Sequence, residues 1–261
     1  MKKFVNVLII GLIFLTCAAF YHFYMGNPDN FLDAAKHEPI NVVGMIHTGG
    51  PVVAFLLTFI VVAVVYTIER MLSIRKAQGK NDPVGFIRKT ISLLERGEID
   101  AALKECDNQR GSIANVLRAA ITRFKSVEKD PNFGPEKKMG EVQRSIDEAL
   151  NLETPLLEKN LVILSTIGTI ATLMGLFGTT LGMIRAFQAL AETGTASAIQ
   201  LSIAISEALY CTAGGLLGAM IAIVAYNFFT TKVDAFVYLI DESILNVSQI
   251  FTGKVESSTK Q

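Results

Sequence analysis

The sequence predicts an all-α, polytopic membrane protein whose long transmembrane helices extend into a helical cytoplasmic domain. Three observations predict it. Of the 261 residues, 51% are apolar, and the mean hydropathy of +0.41 lies above that of an ordinary soluble domain. Four apolar runs have the length of a membrane span, since about 20 residues at 1.5 Å rise cross a hydrocarbon core of roughly 30 Å. The basic residues are also segregated: positions 69–160 hold 17 of the 24 Lys and Arg.

Residues 1–25 are the first span. Lys2 and Lys3 precede an apolar run interrupted only by Asn6 and His22. That pattern also fits a signal peptide, with Cys17, Ala18 and Ala19 as small residues at a cleavage site. The run continues through Phe20, Tyr21, Phe23 and Tyr24, an aromatic cluster suited to a membrane interface, which favours a retained helix. Residues 26–50 form a loop, and residues 51–68 form a second span without a charge. Residues 161–189 and 199–229 are the third and fourth spans, joined by a turn at 190–198 near Thr193 and Gly194.

Orientation follows from Lys and Arg. The loop at 26–50 has only Lys36 and the turn at 190–198 has none, whereas 69–160 holds 17 Lys and Arg and the tail at 230–261 three more. Positive residues stay inside, so both termini and residues 69–160 are cytoplasmic and the two short connections lie outside. Within 69–160, apolar residues at three- and four-residue spacing predict helices over 84–96, 99–106, 113–124 and 136–157. Asp82 and Ser112 are expected N-caps. The last helix runs toward the third span, with a kink expected at Pro155.

Several function classes are excluded. Formal net charge is zero, which gives no reason to expect a nucleic-acid partner. The stretch Gly175 to Gly182 is glycine-rich but lacks the Lys-Ser/Thr ending of a phosphate-binding loop. No Ser-His-acid or His-Glu-x-x-His pattern occurs. Cys17, Cys106 and Cys211 share no metal-ligand spacing, and His22, His37 and His47 read as surface or interface histidines. The expectation is a protein that is not an enzyme and uses neither cofactor nor metal.

Chemistry concentrates in the hairpin of spans three and four. Glu207 is the only Asp, Glu, Lys, Arg or His between Thr193 and Thr231. A charge at bilayer depth costs at least about 2.5–3.5 kcal/mol, so such residues mark ion paths or proton relays. Counting outward from Thr193 sets Thr179 and Glu207 at similar depth, with Thr212 about 7.5 Å deeper. At 100° per residue, Glu207, Cys211, Gly214 and Gly218 share one stripe, while Thr212 is offset by about 140°. Gly178 with Gly182, and Gly214 with Gly218, are small-residue pairs that let helix backbones approach, within one subunit or between subunits. Thr166, Thr169, Thr172 and Thr180 read as threonines bonding back to their own helix.

The run Gly175-Leu176-Phe177-Gly178-Thr179-Thr180-Leu181-Gly182, followed by Glu207-Ala208-Leu209-Tyr210-Cys211-Thr212-Ala213-Gly214-Gly215-Leu216, resembles the MotA/TolQ/ExbB proton-channel family, and its ExbB/TolQ branch in particular. Tyr226 and Asn227 fit the same pattern. The resemblance covers roughly residues 45–245, and the first span is an addition to the family's usual three. It implies a bacterial inner-membrane motor subunit, a homopentamer enclosing the single-span helices of an ExbD- or TolR-like partner dimer. Proton-motive force would then pass to a periplasm-spanning TonB- or TolA-like protein, in TonB-dependent outer-membrane transport or, alternatively, in outer-membrane maintenance. By motif, Thr179, Glu207 and Thr212 are implied pore-lining residues. The implied principal proton carrier is an aspartate of the partner.

Arg185 departs from the family pattern, which has an uncharged residue there. It reads as an arginine snorkelling to the interface, as a pore-mouth charge, or as a partner of Glu192. A structural scaffold without conduction, with Glu207 as an assembly residue, is the competing class. A flagellar-type stator is disfavoured by the Glu-Ala-Leu motif and the small cytoplasmic domain.

Overall fold

The computed structural model describes residues 2–32, 39–128, 130, 133–193 and 198–259. Among these the chain is all-α, with one isolated bridge between Phe31 and Pro39. The helices are α1 (Lys2–Ala19), α2 (Val42–Thr48), α3 (Val52–Gln78), α4 (Pro83–Glu95), α5 (Ile99–Gln109), α6 (Ser112–Glu128), α7 (Pro135–Glu158), α8 (Leu161–Thr193) and α9 (Ala198–Thr259). Four helical stretches are long and apolar enough to cross a membrane: Asn6–Met25, Val52–Glu95, Pro135–Gln188 and Leu201–Val255, which overlap α1, α3, α8 and α9 respectively. The protein is thus a multi-pass membrane protein. It divides into two compact units, Met1–Ile68 with Asn160–Asn227, and Glu69–Lys159 with Phe228–Gln261.

In the first unit, α1 continues into a π-helical turn, Phe20–Met25, closed by the Gly26 amide on the Tyr21 carbonyl at 3.1 Å. The aromatic residues expected at an interface pack against the loop that follows. Tyr21 donates its hydroxyl to the His47 carbonyl at 3.0 Å, and the two rings stack at 4.5 Å. Asn30 Nδ2 donates to the carbonyls of Tyr24 and Met25, each at 3.0 Å, and Asn30 Oδ1 accepts from Asn41 Nδ2 at 2.9 Å. Asn41 also caps α2, its Oδ1 accepting from the Gly44 amide at 2.8 Å. Helix α2 ends at Gly49, and Gly50 adopts φ +76°, a turn that only glycine makes without strain. The core here gathers Met25, Val52, Val53, Leu56 and Cys211.

The second unit is a helical bundle to which the end of α9 contributes. Residues 230–259, read from sequence as a tail after the last span, continue α9 as one helix. Its Phe236, Ile240, Val247 and Phe251 are buried, and Phe251 stacks on Phe124 of α6 at 4.0 Å. Lys254 Nζ donates to the Leu94 carbonyl at 2.6 Å. Asp82 caps α4 as expected, its Oδ2 accepting from the Gly85 amide at 2.8 Å. Arg70 is 1% exposed, held by Glu69 at 2.7 Å and by the Leu157 carbonyl at 3.4 Å. The buried Gln109 clasps the α3–α4 connection, donating to the carbonyls of Gln78 at 3.1 Å and Asn81 at 2.8 Å while accepting from the Asn81 amide at 3.1 Å.

One local expectation changes. Ser112 is the first residue of α6, not its cap. The Asn115 amide bonds to the Gly111 carbonyl at 3.0 Å, and Gly111 itself adopts φ +93°. A Cβ on Gly111 would meet the Gly79 amide nitrogen at 2.8 Å, so glycine is required where these two loops touch. Pro155 lies inside α7, which runs on to Glu158. The interruption before α8 falls at Lys159 and Asn160. Asn160 adopts φ +63°, a left-handed conformation that asparagine tolerates.

Candidate functional site: a hairpin with one ion pair

Helices α8 and α9 approach closely because small residues face one another along both. A Cβ on Gly182 would meet Ala208 Cβ at 2.7 Å, and one on Gly215 would meet the Gly175 Cα at 2.8 Å. Gly178 lies against Cys211, and Gly168 against Ile223 at 2.7 Å. Side chains larger than hydrogen at these glycines would push the backbones apart, which is the physical role of small residues between membrane helices. Gly214 and Gly218 face elsewhere in the same unit. A Cβ on Gly214 would meet Leu56 at 3.5 Å, and one on Gly218 would meet Ile60 at 3.2 Å and Ala171 at 3.6 Å.

These pairings set the register. The two helices mirror about position 195, two residues beyond the expected centre at Thr193. The turn residues 194–197 lie outside the described residues. Thr179 is therefore level with Cys211, and Glu207 with Met183. The expected alignment of Thr179 with Glu207 is off by about one helical turn, roughly 6 Å. The Thr179 hydroxyl donates to the Leu176 carbonyl at 2.6 Å, within its own helix. Thr212 reaches across the hairpin, its Oγ1 donating to the Gly175 carbonyl at 3.2 Å. Thr166, Thr169 and Thr172 bond back four residues and Thr180 three, as read from sequence.

What the hairpin does bring together is Glu207 and Arg185. Arg185 Nη1 lies 3.1 Å from Glu207 Oε2, with the carboxylate side chain 14% exposed and the arginine 46%. Sequence reasoning weighed Glu192 as the arginine's partner; that side chain lies outside the described ones. Glu207 was missed as the partner because the centred hairpin set it level with Thr179. The shifted register brings it within the reach of an arginine two residues beyond Met183. Within residues 161–189 and 199–229, Arg185 and Glu207 are the only Lys, Arg, Asp or Glu; they face each other, and pairing lowers the cost of holding either at that depth.

Around the pair, the stripe of Glu207, Cys211, Gly214 and Gly218 turns inward within the unit. Cys211 Sγ donates to the Gly49 carbonyl at 3.4 Å, and Gly50 lies about 3.8 Å from the Arg185 guanidinium, measured from a Cβ position. Tyr21 lies within electrostatic reach of both Glu207 and Arg185. No spacing rule in the sequence connects Tyr21 or Gly49 to Glu207, since both depend on how the outer loop folds back.

Residues 108–242 match the sequence model described as the MotA/TolQ/ExbB proton channel family. The chain is 33% identical over 120 residues to the Tol-Pal system protein TolQ of Pseudomonas aeruginosa, covering 46% of this chain and 52% of that protein. It is 35% identical over 115 residues to TolQ of Haemophilus influenzae, covering 44% and 49%. It is 40% identical over 73 residues to the biopolymer transport protein ExbB of Salmonella typhimurium, covering 28% and 30%. These matches span about half the length of the TolQ relatives and less of ExbB. With a family match that covers more than half of the sequence and takes in the whole paired hairpin, the chain belongs to the MotA/TolQ/ExbB proton channel family.

Proposed function

We propose that this chain is the channel-forming subunit of a proton-driven inner-membrane motor of the ExbB/TolQ type. Its copies assemble as a pentamer around the single-span helices of an ExbD- or TolR-like partner dimer. Both termini and residues 69–160 face the cytoplasm, as the Lys and Arg asymmetry favours. Thr179, Glu207 and Thr212 contribute to the proton path, while the principal carrier resides on the partner. A proton falling through 100 mV supplies about 2.3 kcal/mol, and the work passes to a TonB-like protein that energises outer-membrane transport. A TolA-like output for envelope maintenance fits the same machinery, and TolQ and ExbB both stand among the relatives.

The observation that carries this reading is the intramembrane carboxylate of Glu207, level with Met183 of α8 in a close-packed hairpin and paired with Arg185. The test is proton flux into liposomes holding this chain with and without the partner encoded beside it. Wild type is expected to conduct only with the partner, and Glu207→Gln to lose that flux while the complex still assembles. Full flux in the variant would sink the proposal. A non-conducting scaffold, with Glu207 as an assembly residue bonded to neighbouring subunits, is the second reading. It predicts no partner-dependent flux in the wild type.

A further inference from the structure

A short run of contacts, all within the first unit, leads from Tyr21 to the Arg185–Glu207 pair. Tyr21 lies on the π-helical turn that follows α1, outside the residues 108–242 that match the family. Its hydroxyl donates to the His47 carbonyl at 3.0 Å, and the Gly50 amide donates to that same carbonyl at 3.1 Å. A carbonyl oxygen has two lone pairs, so it accepts both bonds at once. One acceptor therefore ties the end of the first span to the turn at Gly49 and Gly50.

His47 is held on several sides. Its ring stacks on Tyr21 at 4.5 Å and meets the Phe31 ring edge-on at 5.6 Å. A Cβ on Gly26 would come within 2.9 Å of His47 Nε2, so backbone closes a further side. With the ring enclosed and α2 capped by Asn41, the His47 carbonyl has a defined place.

The turn that it holds is pressed against the ion pair. A Cβ on Gly49 would meet Cys211 Sγ at 3.0 Å, and the Gly49 carbonyl accepts from that sulfur at 3.4 Å. Cys211 stands about one helical turn from Glu207 on α9. Gly50, at φ +76°, lies 3.8 Å from Arg185 Nη1 and 3.9 Å from Nη2, measured from a Cβ position. Nη1 is the nitrogen that meets Glu207 Oε2 at 3.1 Å. An arginine gives up rotamer freedom when it pairs, and this one, 46% exposed, has solvent to turn into. Backbone along one edge of the guanidinium removes some of those conformers in advance, which favours the pair.

We propose that Tyr21 is a positioning residue for the Arg185–Glu207 pair: its hydroxyl fixes the Gly49–Gly50 turn, and the turn holds the guanidinium on the carboxylate. The proposal concerns how the pair is held. It stands whether or not the hairpin conducts protons, which the flux assay decides separately.

Tyr21→Phe removes the hydroxyl and keeps the stacking ring. The coupling between Arg185 and Glu207 is measured with Arg185→Gln, Glu207→Gln and the double variant, by unfolding the full-length protein in micelles, in the wild-type and Tyr21→Phe backgrounds. Expressed as a ratio of unfolding constants, the coupling is expected to fall about fivefold in Tyr21→Phe, the worth of one hydrogen bond. Modification of Cys211 by a small methanethiosulfonate, read by mass spectrometry of its peptide, is expected to quicken about as much, because Cys211 is 1% exposed against the Gly49 carbonyl. Tyr24→Phe, at an exposed tyrosine of the same π-helical turn, is expected to change neither. A lower unfolding midpoint in Tyr21→Phe with unchanged coupling would make Tyr21 merely structural and overturn the proposal, as would an equal loss of coupling in Tyr24→Phe. If Tyr21→Phe does not fold, Gly50→Ala strains the same turn from its other side and is expected to lower the coupling; an unchanged value there overturns the proposal as well.

Discussion

Removing Arg185 while keeping Glu207 is the sharpest test of the site. At 3.1 Å, two unit charges attract by about 5 kcal/mol at an effective dielectric of 20. Much of that is offset, because the arginine is nearly half exposed and an exposed pair contributes only up to about 1 kcal/mol. Breaking a buried pair costs about 3–5 kcal/mol, mostly through the stranded charge. Glu207 is largely buried, so the coupling belongs between those limits, at about 1–3 kcal/mol. Arg185→Gln, Glu207→Gln and the double variant form the cycle, read by denaturant unfolding of the purified protein in micelles. Arg185→Gln is expected to be the more damaging single change, since it strands a carboxylate, and adding Glu207→Gln should recover part of the loss. Additive effects within about 0.5 kcal/mol would refute the pairing as an energetic fact.

Two further outcomes are expected. Gly178→Val places a branched side chain where Gly178 meets Cys211, and should cost about 1–3 kcal/mol by overpacking while weakening hairpin association in the same unfolding assay; an unchanged midpoint would contradict the close approach. Burial pushes the Cys106 thiol from 9.0 up to about 12, with the Asp107 carboxylate adding to it. The folded state therefore holds this proton more tightly than the unfolded state, so the thiol contributes stability that is intact below about pH 9 and lost as pH rises toward 12. Comparing wild type with Cys106→Ala across that window measures it, and maleimide labelling at pH 8 should be slow until the protein unfolds.

Much of the architecture was legible from local chemistry. Long charge-free runs can satisfy their backbone in a bilayer only as helices, so the spans at α1, α3, α8 and α9 followed from composition and length. The amphipathic spacing of α4 to α7 likewise announced which faces would be buried. Asp82 capped as its position demands, whereas Ser112 did not, because the Gly111 conformation supplied the turn and left the hydroxyl facing a cavity.

Glu207 itself was visible as an acid with no business in an apolar run, and the flanking motif pointed to its family. Its partner was not visible. Helix periodicity tells which residues share a face, but the depth at which two helices meet is decided by where small residues permit contact. Here Gly175, Gly178 and Gly182 close on Gly215, Cys211 and Ala208, and the turn takes up two residues more than a count from Thr193 allows. That shift of one helical turn separates Thr179 from Glu207 and delivers Arg185 instead. The sequence by itself determined that a charge had to be accommodated in this hairpin; packing between two backbones decided which charge would neutralise it.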